Sequence, residues 1–139
     1  MKYQIISERS APSYRIAGPA DAFKAFERYA KAKTEWFLVA SLSAAHEVLK
    51  VRVVAIGLVS RCLVGPKEIF VGPVTDLASA VIICHTHPSG RHEIISDQDI
   101  EVSTRLAKAG QILGIEVLDS LVISRKGFTS LKERGLFNS

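Results

Sequence analysis

Apolar and polar positions change period several times along the chain, and each change predicts an element. Tyr3 to Ser7 reads as a short strand. Gly18-Pro19 opens a helix, because the fixed φ of proline suits a first helical turn. Phe23, Phe26 and Ala30 give that helix an apolar face. From Thr34 the period drops to two. Trp36, Leu38, Ala40 and Leu42 alternate with Phe37, Val39 and Ser41, which predicts a strand buried on both faces. Ser43 to His46 turns the chain, and Val48 to Ile56 returns as an antiparallel hairpin partner.

Gly72-Pro73 argues against a straight helix from Pro66 onward, so a helix over roughly Pro73 to Ser79 is expected. Ala80-Val81-Ile82-Ile83-Cys84 has the length and branching of a central strand and stops at His85-Thr86-His87-Pro88. A loop follows, then a helix over Asp97 to Leu113 closed by Gly114. Ile115 to Ser124 is another strand, Arg125-Lys126-Gly127 a turn, and Ser130 to Arg134 a short terminal helix capped by Gly135. Hairpins together with a helical crossover predict an α+β, or mixed α/β, sandwich.

With 139 residues the chain is expected to form one domain, 1–139, in which 1–33 supply a strand and helix leading into the core. A domain of this size buries roughly two-thirds of its unfolded surface, enough to fold without disulfides or a metal. Any metal site is then functional in expectation. A hydrophobic fraction of 47% with 23% charged residues excludes disorder. The opening residues do not read as a signal peptide, so none is expected, and the most apolar runs, Val51 to Val59 and Leu77 to Cys84, are too short to span a bilayer. A cytoplasmic protein without membrane contact is expected.

Cys62 and Cys84 are not spaced as a metal knuckle or redox pair. They read as free core thiols, with Cys84 a candidate pocket-wall residue because it adjoins His85. A net charge of +4 permits contact with nucleic acid. The cations are scattered, however: Lys24, Arg28, Lys31 and Lys33 mark a helix face, while Lys126, Lys132 and Arg134 decorate the end of the chain. Solubility is the favoured reading of the charge.

The chemistry concentrates in His85-Thr86-His87-Pro88-Ser89-Gly90 and Ser96-Asp97-Gln98-Asp99. Side chains alternate faces in extended chain, so His85 and His87 point the same way and both imidazoles can reach one ion. Asp99, in the first turn of the next helix, can be brought to the same point. Two histidines and one carboxylate, leaving a fourth position open, form a catalytic zinc shell. The same residues have a plainer reading. Ser96-x-x-Asp99 also fits a capping box, and a histidine pair at a strand end can be incidental surface chemistry. The serine can cap the helix and line the site together.

The stretches Glu35 to Phe37, Gly65-Pro66-Lys67-Glu68-Ile69-Phe70 and Ala80 to Gly90 resemble the RadC-type branch of the JAB/MPN metalloprotein family. So do Leu106 to Asp119 and Ser130-Leu131-Lys132-Glu133-Arg134-Gly135-Leu136, and the resemblance covers roughly residues 34 to 137. It implies a cytidine-deaminase-like JAB/MPN sandwich, a mixed central sheet flanked by helices. It implies one zinc ion per chain on His85, His87 and Asp99. Ser96 matches the serine that supports the tetrahedral intermediate, and Glu35 the glutamate that activates water. Zinc lowers the pKa of water toward neutrality, and a glutamate that is not a ligand can move the proton. Glu68 is the rival general base, at a position associated with structure.

Several departures from the family pattern bear on the site. The spacing from His87 to Ser96 is one residue longer than usual, so Asp97 competes with Asp99 as ligand. The loop carries Arg91, His92 and Glu93 in place of a proline-rich turn, with His92 expected to be exposed. Ser120 follows Asp119 where relatives commonly carry histidine. The helix-hairpin-helix region of full-length RadC proteins is missing, so a stand-alone domain or a piece of a longer protein is expected.

The leading expectation is a zinc-dependent hydrolase of the peptidase or isopeptidase type, acting on a peptide or protein substrate. The alternatives are a DNA repair or recombination accessory protein of RadC type, which would contact nucleic acid, and a non-catalytic MPN scaffold. Deaminase chemistry is disfavoured because no Pro-Cys-x-x-Cys follows the histidines.

Overall fold

The computed structural model describes residues 7–10, 15–57 and 64–137. Cys62 and all of the expected Tyr3 to Ser7 strand except Ser7 lie outside these residues. In chain order the elements are β1 (Ser7–Ser10), α1 (Pro19–Phe26), β2 (Trp36–Leu42), β3 (Val48–Ile56), α2 (Pro66–Thr75), β4 (Ala80–Thr86), α3 (Asp97–Leu113), β5 (Glu116–Ser124) and β6 (Gly127–Ser130). A short 3-10 turn, Glu27–Tyr29, extends α1.

The strands form one mixed sheet in the order β1-β3-β2-β4-β5-β6. Only β4 and β5 run parallel, joined by α3 as the crossover that a parallel pair requires. Both faces of the sheet are covered, which explains the unbroken apolar runs of β2 and β4. Phe37, Val39, Val81 and Ile83 face α2 and α3, where they meet Ile69, Phe70, Val102 and Leu106. Leu38, Ala40, Ile82 and Cys84 face α1, where they meet Ala22 and Phe26. The mixed α/β architecture expected from the sequence is therefore present. Among the described residues no helix is long and apolar enough to cross a membrane.

Helix α3 has its expected bounds because both ends carry strong local signals. The Ser96 Oγ accepts from the Asp99 amide at 3.1 Å, while Asp99 Oδ2 accepts from the Ser96 amide at 2.9 Å, the reciprocal pair of a capping box. At the other end Gly114 has φ 76°, a left-handed conformation that stops the helix.

Helix α2 differs from expectation. It begins at Pro66, ahead of the Pro73–Ser79 span. Pro66 occupies the first helical position and the Glu68 carboxylate accepts from the Gly65 amide at 2.9 Å. Pro73 falls in the last turn, where the hydrogen bond it forfeits weakens a helix that ends two residues later at Thr75. Gly72 has a packing role instead of a stopping one. A Cβ there would lie 2.6 Å from the guanidinium of Arg52, which crosses beneath the helix.

The C-terminal segment is the second difference. Gly127 opens strand β6, and the expected Ser130–Arg134 helix is a hydrogen-bonded turn after it. Ser130 pairs with Leu121, and Gly135 reverses the chain at φ 70°.

Arg52 ties α2 to the sheet. It is 2% exposed and donates to both oxygens of Asp76, at 2.6 and 2.8 Å. These bonds hold the Asp76 carboxyl below its ordinary pKa. A depressed carboxylate pKa stabilises the fold above the unfolded value of about 3.9, and that stability is lost as the pH falls through the folded value. Asp76→Asn is thus expected to destabilise the protein by about 2 kcal/mol at pH 7, the scale of hydrogen bonds to charged groups. Urea unfolding at pH 7 and pH 3 checks this: the gap between wild type and variant should narrow in acid, and a gap independent of pH would contradict the assignment.

Candidate metal centre

The site sits where three chain segments end together. Phe37 of β2 pairs with His85 of β4 in antiparallel register. Glu35, two residues before Phe37, therefore arrives beside the end of β4 on the same face as His85 and His87. The crossover to β5 starts at that same end, so the first turn of α3 lies over it.

The donor atoms of Glu35, His85 and His87 all fall within 4.8 Å of one another, a group that could hold a metal ion. Asp99 approaches from α3, with Oδ1 3.2 Å from His85 Nε2. Both atoms are buried, and neither takes part in a hydrogen bond despite that approach. Two ligands of a tetrahedral zinc, each about 2.0 Å from the ion, stand about 3.3 Å apart. That spacing is compatible with two donors to a common ion, although Asp99 lies outside the group whose donor atoms all fall within 4.8 Å of one another. His85 is stacked on Phe37 with ring centroids 5.8 Å apart, and its ring is tilted against that of His87 at 5.1 Å.

The orientation of each donor has a visible cause. His87 Nδ1 lies 2.9 Å from the Arg91 carbonyl oxygen. A carbonyl only accepts, so Nδ1 carries the hydrogen and Nε2 presents a lone pair, the usual way in which a ligating histidine is aimed. The other oxygen of Asp99 is taken by the Ser96 amide, which turns Oδ1 toward His85. The loop between the histidines and α3 is pinned from β5, the turn after it and the final turn. Ser124 Oγ donates to the Gly90 carbonyl at 3.1 Å, Arg125 to the Pro88 carbonyl at 3.0 Å and Arg134 to the Glu93 carbonyl at 2.9 Å.

Of the rival residues, Asp97 is exposed at the start of α3 while Asp99 is 2% exposed and faces His85. Glu68 is committed to the N-terminal cap of α2. Ser96 caps α3 with its hydroxyl oxygen. Ser120 is buried against Ser103 at 2.8 Å.

One expectation needs correction. His92 is not exposed: its Nδ1 lies 3.0 Å from Thr129 Oγ1, and its ring packs over Gly127 of β6. Cys84 is the free core thiol expected, and the alternative of a pocket-wall residue falls away. Alternation along β4 turns its side chain to the α1 face, away from His85, and burial pushes its thiol pKa well up. The sequence reading missed the Arg91 carbonyl, which no residue type signals, and the ring of Phe37, which alternation from Trp36 does signal.

A second buried carboxyl, Asp119, lies elsewhere. A bulge in β5 leaves Leu118 unpaired between Val117 and Asp119 and turns Asp119 toward the α1 face. Burial pushes its pKa up, against hydrogen bonds from Ser130 Oγ at 2.6 Å and the Ser120 amide at 2.7 Å. It borders a cavity of about 400 Å³ with Ile16, Ala22 and Ile82 that includes no member of the histidine cluster.

Comparison with known proteins agrees with this architecture. Residues 16–136 match the RadC-like JAB domain. A UPF0758 protein of Alkaliphilus metalliredigens is 39% identical over 124 residues, covering 88% of this chain and 53% of the relative. One from Methanospirillum hungatei is 45% identical over 101 residues, covering 73% and 44%, and one from Clostridium tetani is 37% identical over 131 residues, covering 94% and 57%. The chain thus spans about half the length of the curated relatives it matches. On the extent of that match it belongs to the RadC-like JAB domain family.

Proposed function

We propose that the protein is a zinc-dependent hydrolase of the peptidase or isopeptidase type, holding one zinc ion on His85, His87 and Asp99. The observation that carries this reading is the approach of His85 Nε2 to Asp99 Oδ1 at 3.2 Å, beside a second histidine and a glutamate. When bound, zinc supplies a Lewis acid that makes water a nucleophile near neutral pH. Glu35 takes the proton of the attacking water and returns it to the departing amine, which requires a carboxylate near the donors that is not itself a ligand. Ser96 Oγ accepts from the Asp99 amide and keeps its own hydrogen, which it can donate to a developing oxyanion. Phe37 excludes water from one side of His85.

Two measurements test this. The first is zinc titration against a competing chelator. About one zinc per chain is expected, with affinity reduced more than a hundredfold in His85→Ala and Asp99→Asn and unchanged in Asp97→Ala. Asn at position 99 keeps an oxygen for the cap, so lost affinity there reports on the metal. Loss in Asp97→Ala with retention in Asp99→Asn would reassign the ligand.

The second measurement is turnover of peptide and isopeptide-linked substrates by Glu35→Gln. The variant should still bind one zinc, within about tenfold of wild-type affinity, and lose activity on the order of a hundredfold. Wild-type turnover by this variant would remove Glu35 from the mechanism.

A further inference from the structure

Glu35 lies one residue outside β2, in a stretch, residues 32–35, that has no regular secondary structure. The last ladder pair between β2 and β4 is Phe37 with His85, so on the side of the histidines no ladder pair holds Glu35, although on the other side β3 pairs as far as Trp36 with Ile56. Beyond that pair a side chain takes over. Thr86 Oγ1 accepts from the Trp36 amide at 2.9 Å and donates to the Thr34 carbonyl at 3.2 Å. One hydroxyl thereby grips the main chain on both sides of Glu35, using its single hydrogen in one direction and a lone pair in the other.

Thr86 is fully buried and stands between the two histidines in sequence, with the alternation of β4 turning it away from their face. Two further bonds close the segment. The Glu35 carbonyl accepts from the Gly57 amide at 2.9 Å, and the Trp36 indole donates to Thr34 Oγ1 at 3.1 Å.

We infer that Thr86 is a positioning residue, whose hydroxyl sets where the Glu35 carboxylate stands relative to the histidine pair. This rests on the metal-centre reading above. A hydroxyl is required there in a specific sense. Valine has the same shape but neither accepts nor donates, so both main-chain groups flanking Glu35 lose their partner. Serine keeps the hydroxyl and should keep the grip. The histidines project from the other face of β4 and should be little affected by either change. The effect of losing the hydroxyl should therefore pass through Glu35.

The test is a double-mutant cycle on zinc affinity, measured with a competing chelator on wild type, Thr86→Val, Thr86→Ser, Glu35→Gln and the Glu35→Gln/Thr86→Val pair. Thr86→Val should weaken zinc severalfold, comparably to Glu35→Gln. It should add no further loss in the Glu35→Gln background, and Thr86→Ser should stay within about twofold of wild type. A loss of equal size in both backgrounds would show that Thr86 acts on the histidines, and wild-type affinity in Thr86→Val would remove the role altogether. Either result overturns the inference. If the valine variant does not fold cooperatively, Thr86→Cys, similar in size but a poor acceptor, takes its place in the cycle with the same expectations.

Hydrogen exchange at the Trp36 amide in metal-free protein keeps this inference separable from the metal reading. The amide should be protected in wild type and Thr86→Ser and exposed in Thr86→Val. Failure of wild type to bind zinc would sink the metal centre, whereas equal protection in all three would sink the grip itself.

Discussion

The antiparallel contact between β2 and β4 at the middle of the sheet is the constraint from which the site follows. It brings the start of one strand beside the end of the other, with Phe37 across from His85. Because β5 lies parallel to β4, the chain must leave the end of β4 through a crossover helix. The first turn of that helix lies over the end of β4, where Asp99 Oδ1 stands 3.2 Å from His85 Nε2. Glu35, His85, His87 and Asp99 thus come from three separate segments that strand order brings to one end of the sheet, with the Thr86 hydroxyl holding the main chain around Glu35. The helix cap then refines the position, since the bond that starts α3 also orients the Asp99 carboxylate.

Burial sharpens the chemistry of this meeting point. Asp99 and His85 are each 2% exposed, and His85 lies against an aromatic ring. Placing carboxylates in such surroundings is unfavourable unless positive charge or hydrogen bonds compensate. For Asp99 the Ser96 amide supplies part of that compensation, and a divalent cation at the convergence of the donors would supply the rest. The second buried carboxyl, Asp119, is compensated differently: Ser130, Ser120 and the Lys132 amide satisfy it within a structural network joining β5 to the final turn.

Much of this was legible in the sequence, and the failures have physical causes. The period-two runs of β2 and β4 and the caps of α3 are local signals that tertiary packing reinforces. The α2 boundary differs from expectation because Gly72-Pro73 reads as a break, whereas Pro73 falls in the last turn and Glu68, reaching back to the Gly65 amide, marks the start. The use of Gly72 is invisible without Arg52, which sits 20 positions earlier on another element. Ser130 to Arg134 has helical composition, yet Ser130 is bound into the sheet edge through Leu121 and into Asp119 through its hydroxyl. The histidine pair was visible as a pattern, whereas the grip of Thr86 depends on which face its hydroxyl meets, and composition carries no trace of that.

The most direct measurement is X-ray absorption at the zinc edge of the reconstituted protein. Two imidazoles and carboxylate or water oxygen are expected at about 2.0–2.1 Å with no sulfur, and one imidazole fewer in His87→Ala. A sulfur scatterer at about 2.3 Å, or an imidazole count unchanged by His87→Ala, would place the metal elsewhere and contradict the centre built by β2, β4 and α3.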